Sequence, residues 1–329
     1  MEKFSVDNIH LHLGDAIDYY SNWEKPDVII SDGPYGVNGY EGDASSPSDL
    51  PKLYEEHIKK WSEMARPGAT LWFWNTEIGW ALVHPVLEKY GWKYNGTNIW
   101  DKGIGYIAGN SNSKTLSKFP IVTEVCVQYI LEPRFIVNGE VVEEKVWLRH
   151  EWLRTGLPLY KTNEACNVKN AASRKYFTQC HLWYSPPPDQ FEKLVEYANE
   201  HGEENGKPYF TLDGKNILDR SQWIKMHPYF NCPIGYTNVW NEPMVAGKER
   251  LKMKGEKKAA HSNQKPLELM KLIISASSAE MDVIWEPFGG LSTGMVAANI
   301  LNRKGYSAEL QGTFYELSKD RILNSMVLV

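Results

Sequence analysis

The chain has 329 residues, 42% of them hydrophobic and 23% charged. This ordinary globular composition excludes disordered and fibrous classes and is long enough to bury a full core without staples. A net charge of −5 excludes a protein coated in basic charge but leaves room for a local basic site. No apolar run reaches the roughly 18 residues of a membrane span. Residues 1–7 show no basic flank leading into an apolar stretch. Cys126, Cys166, Cys180 and Cys232 form no C-x-x-C pair. The expectation is a cytoplasmic protein with reduced thiols, no membrane contact and no metal.

In chain order, residues 9–13 alternate apolar and polar and stop at Gly14-Asp15, a strand ending in a turn. Residues 27–31 form a β-branched apolar run that enters Asp32-Gly-Pro-Tyr35, as a buried parallel strand entering a loop would. Residues 53–64 carry apolar side chains at helical spacing, and Arg66-Pro-Gly68 stops them. A strand is expected at 70–74, a helix at 78–90, and further strands at 92–100 and 124–130. Residues 131–260 read differently. Helices are expected at 147–153 and 191–201, around the stiff Ser185-Pro-Pro-Pro188, and the stretch 209–245 is loop-rich and aromatic. Residues 101–260 carry 22 Lys+Arg and 19 Asp+Glu, against 14 and 22 in the remainder. From residue 266 the α/β grammar returns, with a helix at 266–277, a strand at 282–286, a small-residue helix at 292–301 and a strand at 305–315 ending at Glu316.

Three clusters carry chemistry. A strand, then Phe288-Gly-Gly290, then a small-residue helix is how α/β sheets let a cofactor approach the backbone and a helix N-terminus. An acidic residue at the next strand end, placed here at Glu316, accepts ribose hydroxyls. Only 39 residues follow Gly290, so the remaining strands must come from the N-terminal part and the sheet order is circularly permuted. In Asp32-Gly-Pro-Tyr35, a carboxylate, exposed carbonyls and an aromatic ring share one strand end and can grip a flat amino-bearing ring, although Asp-Gly-Pro is equally a turn sequence. Asn263-Gln-Lys-Pro266, directly before a helix, suits a carboxylate ligand or a simple helix start.

In this order the clusters resemble the amino-group DNA methyltransferases that use S-adenosylmethionine, in their permuted β group. That family carries an Asp/Asn/Ser-Pro-Pro-Tyr/Phe tetrapeptide in its N-terminal part, then a target recognition region, then an Asn-Gln-Lys-Pro-like stretch and an Asp-Pro-Phe-x-Gly-x-Gly turn. The matches are Asp32-Gly-Pro-Tyr35, Asn263-Gln-Lys-Pro266, Glu286-Pro-Phe-Gly-Gly290 with Thr293, and Leu13-Gly-Asp15. Gly33 departs from the usual Pro, Glu286 from the usual Asp, and Gly289-Gly290 from the usual Gly-x-Gly. The resemblance implies an α/β fold: a Rossmann-like, seven-stranded, mostly parallel sheet from residues 1–130 and 261–329. A helical and loop-rich recognition domain is inserted at 131–260, and the Asp32 and Phe288 strand ends open on one cleft.

The resemblance also assigns roles. Asp32 and the Gly33 carbonyl accept from the target amine, Pro34 shapes the turn and Tyr35 stacks on the base. The cofactor residues are Asp15 at the adenine end, Asn263, Gln264 and Lys265 near the methionine carboxylate, Glu286, Pro287, Phe288, Gly289, Gly290 and Thr293 around the turn, and Glu316 on the ribose. The implied reaction is methylation of adenine N6 in flipped-out duplex DNA, with cytosine N4 as the alternative and an inactive DNA-binding homologue as a distant one. A nucleotide-dependent oxidoreductase would show an early Gly-x-Gly-x-x-Gly, which is absent. A functionally paired restriction endonuclease and a monomeric or homodimeric state are further expectations. DNA reading is expected from a helix-turn-helix at 161–177, with Ala165, Val168, Ala172 and Tyr176 inward and Lys169, Asn170, Ser173 and Arg174 outward. Lys254, in the basic run 248–258, is the expected phosphate contact. A structural helix pair and a solvated loop are the plain alternatives for these two segments.

Overall fold

The computed structural model describes residues 2–38, 43–107, 116–204, 206–253, 259–261 and 263–325. The chain divides into two compact units, one of residues 1–132 with 228–329 and one of residues 133–227.

The first unit begins with a hairpin of β1 (Lys3–Val6) and β2 (Ile9–Leu13), in which Val6 pairs with Ile9 across Asp7-Asn8. Asp7 takes the left-handed conformation of such a tight turn (φ +46°). β3 (Val28–Ser31) is buried throughout. It is followed by α1 (Leu50–Met64), which starts on Pro51 and buries Leu50, Tyr54, His57, Ile58 and Trp61 along one stripe. β4 (Thr70–Asn75) leads to α2 (Glu77–Lys89), whose first turn is capped by the Thr76 hydroxyl accepting from Gly79 N at 3.1 Å. β5 (Trp92–Asp101) and β6 (Thr123–Leu131) complete this half.

The second unit opens with a hairpin of β7 (Phe135–Val137) and β8 (Glu140–Val142) and is otherwise helical. Its helices are α3 (Glu144–Arg154), α4 (Lys161–Ala165), α5 (Ala171–Lys175), α6 (Pro188–His201) and α7 (Arg220–Lys225). Phe191 and Trp223 stack with ring centroids 3.8 Å apart at its centre. Buried Glu151 is satisfied by a fork from Arg154 and by Phe210 N at 2.7 Å.

The chain then returns to the first unit with β9 (Val239–Trp240), α8 (Leu267–Ser277), β10 (Val283–Glu286), α9 (Thr293–Ile300), β11 (Lys304–Glu309) and α10 (Gly312–Ser325). The boundary expected at 260 therefore falls at 227. Residues after 228 belong with the sheet because Asn231 N donates to Ala276 O, β9 pairs with β5, and Trp240 packs against Trp72 and Trp74.

Among the described residues the main sheet has nine strands in the order β1-β2-β11-β10-β3-β4-β6-β5-β9. β2, β11, β10, β3 and β4 run parallel, and β6 lies antiparallel to both β4 and β5. The seven expected strands are the inner seven. The short β1 and β9 extend the two edges, so the expected count of seven is corrected to nine. Successive residues feed opposite cores: Ile29, Leu71, Phe73 and Trp285 pack toward α1 and α2, while Ile30, Trp72, Trp74 and Ile284 pack toward α8 and α9. No helix among the described residues is long and apolar enough to cross a membrane.

Candidate active site

β3 and β10 are adjacent and parallel, with Val28 opposite Ile284 and Ile29 opposite Trp285. Carried past the strand ends, this register sets Asp32 opposite Phe288, and both residues line one cavity of about 880 Å³. The expected shared cleft is present. A Cβ on Gly33 would lie 2.5 Å from the Phe288 ring and 2.7 Å from Tyr54 Oη, so the tetrapeptide fits against the turn because position 33 lacks a side chain. The next carbonyl, that of Pro34, accepts from Tyr54 Oη and Asn75 Nδ2, both at 3.0 Å.

Asp32 sits in a buried ionic network. Its Oδ1 accepts from Lys265 Nζ at 2.7 Å and Tyr35 Oη at 2.9 Å. Lys265 also reaches Glu124 at 3.2 Å, and Glu124 accepts from Lys102 at 2.8 Å. With its amide nitrogen turned toward Glu124, Asn263 donates to Glu124 and accepts from Lys265, each at 3.1 Å. Two carboxylates and two ammonium groups thus neutralise one another. Burial pushes Glu124 upward, but Lys265 and Lys102 outweigh it and hold the carboxyl below its ordinary range. Burial likewise disfavours the charged Lys265, and Asp32 and Glu124 overcome that and raise it. The Tyr35 hydroxyl is pushed well up by burial and by the Asp32 and Glu124 charges, so it remains a donor.

Gln264 and Lys265, expected near a methionine carboxylate, both line the cavity, and their polar side-chain atoms also have protein partners. The Lys265 ammonium is taken up by Asp32, Glu124 and Asn263. Gln264 is held by the backbone of Leu251 and Glu249, accepting at 3.1 Å and donating at 2.8 Å. Arg250 lines the same cavity, as Lys102 and Lys265 do.

The other half of the cavity is built on β10, β11 and β2. Gly289 has no room for a side chain, because a Cβ would lie 2.6 Å from Ser307 Oγ. Gly290 (φ +53°) faces open space. The turn therefore offers bare backbone to a ligand. Glu286 caps α9 from below, accepting from Gly294 N at 2.8 Å and Met295 N at 3.2 Å. Burial raises its pKa to about 8 against the partial offset of those amides. Thr293 at the start of α9 accepts from Arg321 at 2.8 Å. Asp15 lines the cavity and accepts from Ile17 N.

Glu316 is corrected. The chain leaves β11 at Glu309, and Glu316 lies on α10, exposed and paired with Lys319. The acid at the strand end is Glu309, held in place by Gly290 N at 2.7 Å and Gln311 N at 2.8 Å and lining the cavity.

The DNA methylase family model, which covers N6 and N4 methyltransferases, matches residues 26–320. The chain belongs to that family. It is 31% identical over 121 residues to the type II methyltransferase M2.MboI of Moraxella bovis, a match covering 34% of this chain and 42% of that protein. It is 35% identical over 85 residues to M.HinfI of Haemophilus influenzae, covering 26% and 23%. The chain thus spans less than half the length of these curated relatives. Two solved structures share the fold. The M1.HpyAVI complex with S-adenosylmethionine has a TM-score of 0.52 at 16% identity, over 95% of this chain and 98% of that one. The cytosine-N4-specific PvuII DNA methyltransferase has a TM-score of 0.52 at 12% identity, over 96% and 87%.

The segment 161–177 does form two helices around Asn167 (φ +53°), but each has only five residues. Lys169, Asn170 and Arg174 are exposed. Ser173 is partly buried, and its hydroxyl is bonded to Asn163. Val168, expected inward, is 37% exposed because it sits in the turn. Lys254 lies outside the described residues. The sequence reading missed Glu309, Glu124, Lys102, Arg250 and His57. The first had a signal, a Gln-Gly pair just after it; the others are scattered through the chain and meet only in the fold.

Proposed function

We propose that the chain is an S-adenosylmethionine-dependent DNA methyltransferase acting on the exocyclic N6 of adenine in duplex DNA. The observation that carries this reading is the register of β3 and β10, which sets the Asp32 carboxylate beside the bare Gly289-Gly290 turn in one cavity. Bound S-adenosylmethionine supplies an electrophilic methyl on a sulfonium. Every other contribution belongs to the chain. With Oδ1 held by Lys265 and Tyr35, Asp32 presents Oδ2 to an amine N–H, and the Gly33 carbonyl is the second acceptor. Together they draw the nitrogen lone pair out of ring conjugation and aim it. Asp32 Oδ2 would hold the amine while its nitrogen faces the methyl that such a cofactor would supply, and would be the acceptor for the proton the nitrogen gives up. Orientation and preorganised charge carry the rate. Asp15 and Glu309 fit the adenine and ribose, and Arg250 fits the carboxylate. The base reaches this cavity only by leaving the duplex stack.

Lys169, Asn170, Ser173 and Arg174 remain the proposed readers of the target sequence, and pairing with a restriction endonuclease is the proposed setting. Incubation with tritiated S-adenosylmethionine and mixed-sequence duplex DNA tests the activity, and no incorporation on any DNA would sink it. Nuclease digestion and mass identification of the product distinguish N6-methyladenine, expected here, from N4-methylcytosine.

A further inference from the structure

His57 reaches the cavity from α1, next to Phe288, with ring centroids 4.8 Å apart. Its Nδ1 lies 2.8 Å from Tyr20 Oη, and the same oxygen lies 2.9 Å from Trp61 Nε1. An indole nitrogen can only donate. Tyr20 therefore accepts from Trp61, and its one hydroxyl proton is free to go to His57 Nδ1. The opposite arrangement, with the histidine donating, would leave the proton of a fully buried tyrosine with no acceptor among the described residues. The relay is rigid: Tyr20 stacks on Trp285 at 5.1 Å and 7°, and Trp61 is fully buried. Burial lowers the His57 pKa to about 4, so the ring is neutral at pH 7. Its Nε2 then carries the proton, and no protein group among the described residues lies within hydrogen-bond distance of it. Asp15 lines the same cavity, with one carboxylate oxygen taken by Ile17 N.

We propose that His57 is a fixed Nε2–H donor that, with the Asp15 carboxylate as acceptor, reads the purine edge of the cofactor. An uncharged donor beside an acidic acceptor and the Phe288 ring matches a flat neutral heterocycle. It does not match the carboxylate of the amino-acid end, which calls for a cation. Adenine supplies the complement, an exocyclic N6–H flanked by the ring acceptors N1 and N7. The proposal rests on S-adenosylmethionine being the cofactor and goes beyond that reading by assigning the residue and tautomer that recognise its base.

Calorimetric binding of S-adenosylhomocysteine and its 1-deaza and 7-deaza analogues tests it. The wild-type chain should bind one of the two analogues roughly tenfold more weakly, the worth of one hydrogen bond. His57→Leu should bind the parent roughly tenfold more weakly and lose that discrimination. Tyr20→Phe, which keeps the ring but removes the proton that fixes it, should show reduced discrimination. Nitrogen-15 histidine spectra of the free protein should show a neutral ring protonated on Nε2. Equal wild-type affinity for all three ligands, or a ring protonated on Nδ1, overturns the proposal. These wild-type measurements decide it even if His57→Leu fails to fold. No binding of S-adenosylhomocysteine itself would overturn it together with the cofactor assignment.

Discussion

Asp32 has one carboxylate oxygen committed and one to offer, so it separates methyl transfer from cofactor binding. Asp32→Ala should slow transfer at least roughly ten- to a hundredfold while leaving the S-adenosylhomocysteine dissociation constant nearly unchanged. The lost charge-assisted hydrogen bond is worth about 1.5–3 kcal/mol or more in the transition state. Single-turnover transfer and calorimetry check the two halves. Glu309 and Glu316 make an opposed pair: Glu309→Ala should weaken cofactor binding by about 1.5–3 kcal/mol, whereas Glu316→Ala, on an exposed helix face, should leave it unchanged. Equal effects would reject the strand-end role. Glu286 gives a pH dependence. Its carboxyl titrates near 4.5 when unfolded and near 8 in the fold. Between those values the folded state keeps a proton that the unfolded state has released. Stability should therefore fall as pH rises through that window, by a few kcal/mol in all, on the order set by the shift. Denaturation midpoints from pH 5 to 8.5 should show this decline, and Glu286→Gln should flatten it.

The elements were legible wherever periodicity and a stop signal agreed. β3 and α1 were readable because β-branched or helical spacing ran into Asp-Gly-Pro or Arg-Pro-Gly, and β4 and α8 from their apolar spacing. β11 was misread because Tyr306, Ala308, Leu310, Gly312 and Phe314 keep a two-residue apolar alternation straight through its end. Only Gln311-Gly312 marked the change to α10, and the slip carried the ribose acid seven residues too far. β1 carried a usable signal, Asp7-Asn8 between short alternating runs. β9, two residues long, exists only because β5 offers it an edge. Most of the tetrapeptide and turn residues were legible from their motifs. The ionic network was not, because Lys102, Glu124 and Lys265 are ordinary charges until folding buries them together. For the paired short helices, Arg174→Ala should cost about 1–3 kcal/mol at one base pair of the preferred site and less on other sequences. Affinities across single-base variants check this, and a uniform loss would make α5 a backbone clamp.

At the scale of the whole chain, the site joins segments from far apart: Lys265 clamps Asp32 and Glu124 from positions 233 and 141 residues later. Lys265→Met would leave buried Glu124 and partly buried Asp32 without their shared cation. It should lower unfolding stability by about 3–5 kcal/mol, measurable by chemical denaturation, in addition to its effect on transfer. A loss below about 1 kcal/mol would mean that water or Lys102 takes over the charge.

The division of the chain also fixes an order of events. The second unit is continuous, residues 133–227, whereas the sheet needs β10 and β11 to slot between β2 and β3, which were made long before them. As the chain leaves the ribosome, the inserted unit has everything it requires while the sheet still lacks two of its inner strands. Until those strands are inserted, β2 and β3 have no partner between them, and such unpaired edges are where nascent chains go astray. The pairing that closes the gap spans some 256 positions between Val28 and Ile284, so it forms late and slowly. The cleft between the Asp32 and Phe288 strand ends is therefore assembled last, by the same insertion that completes the core.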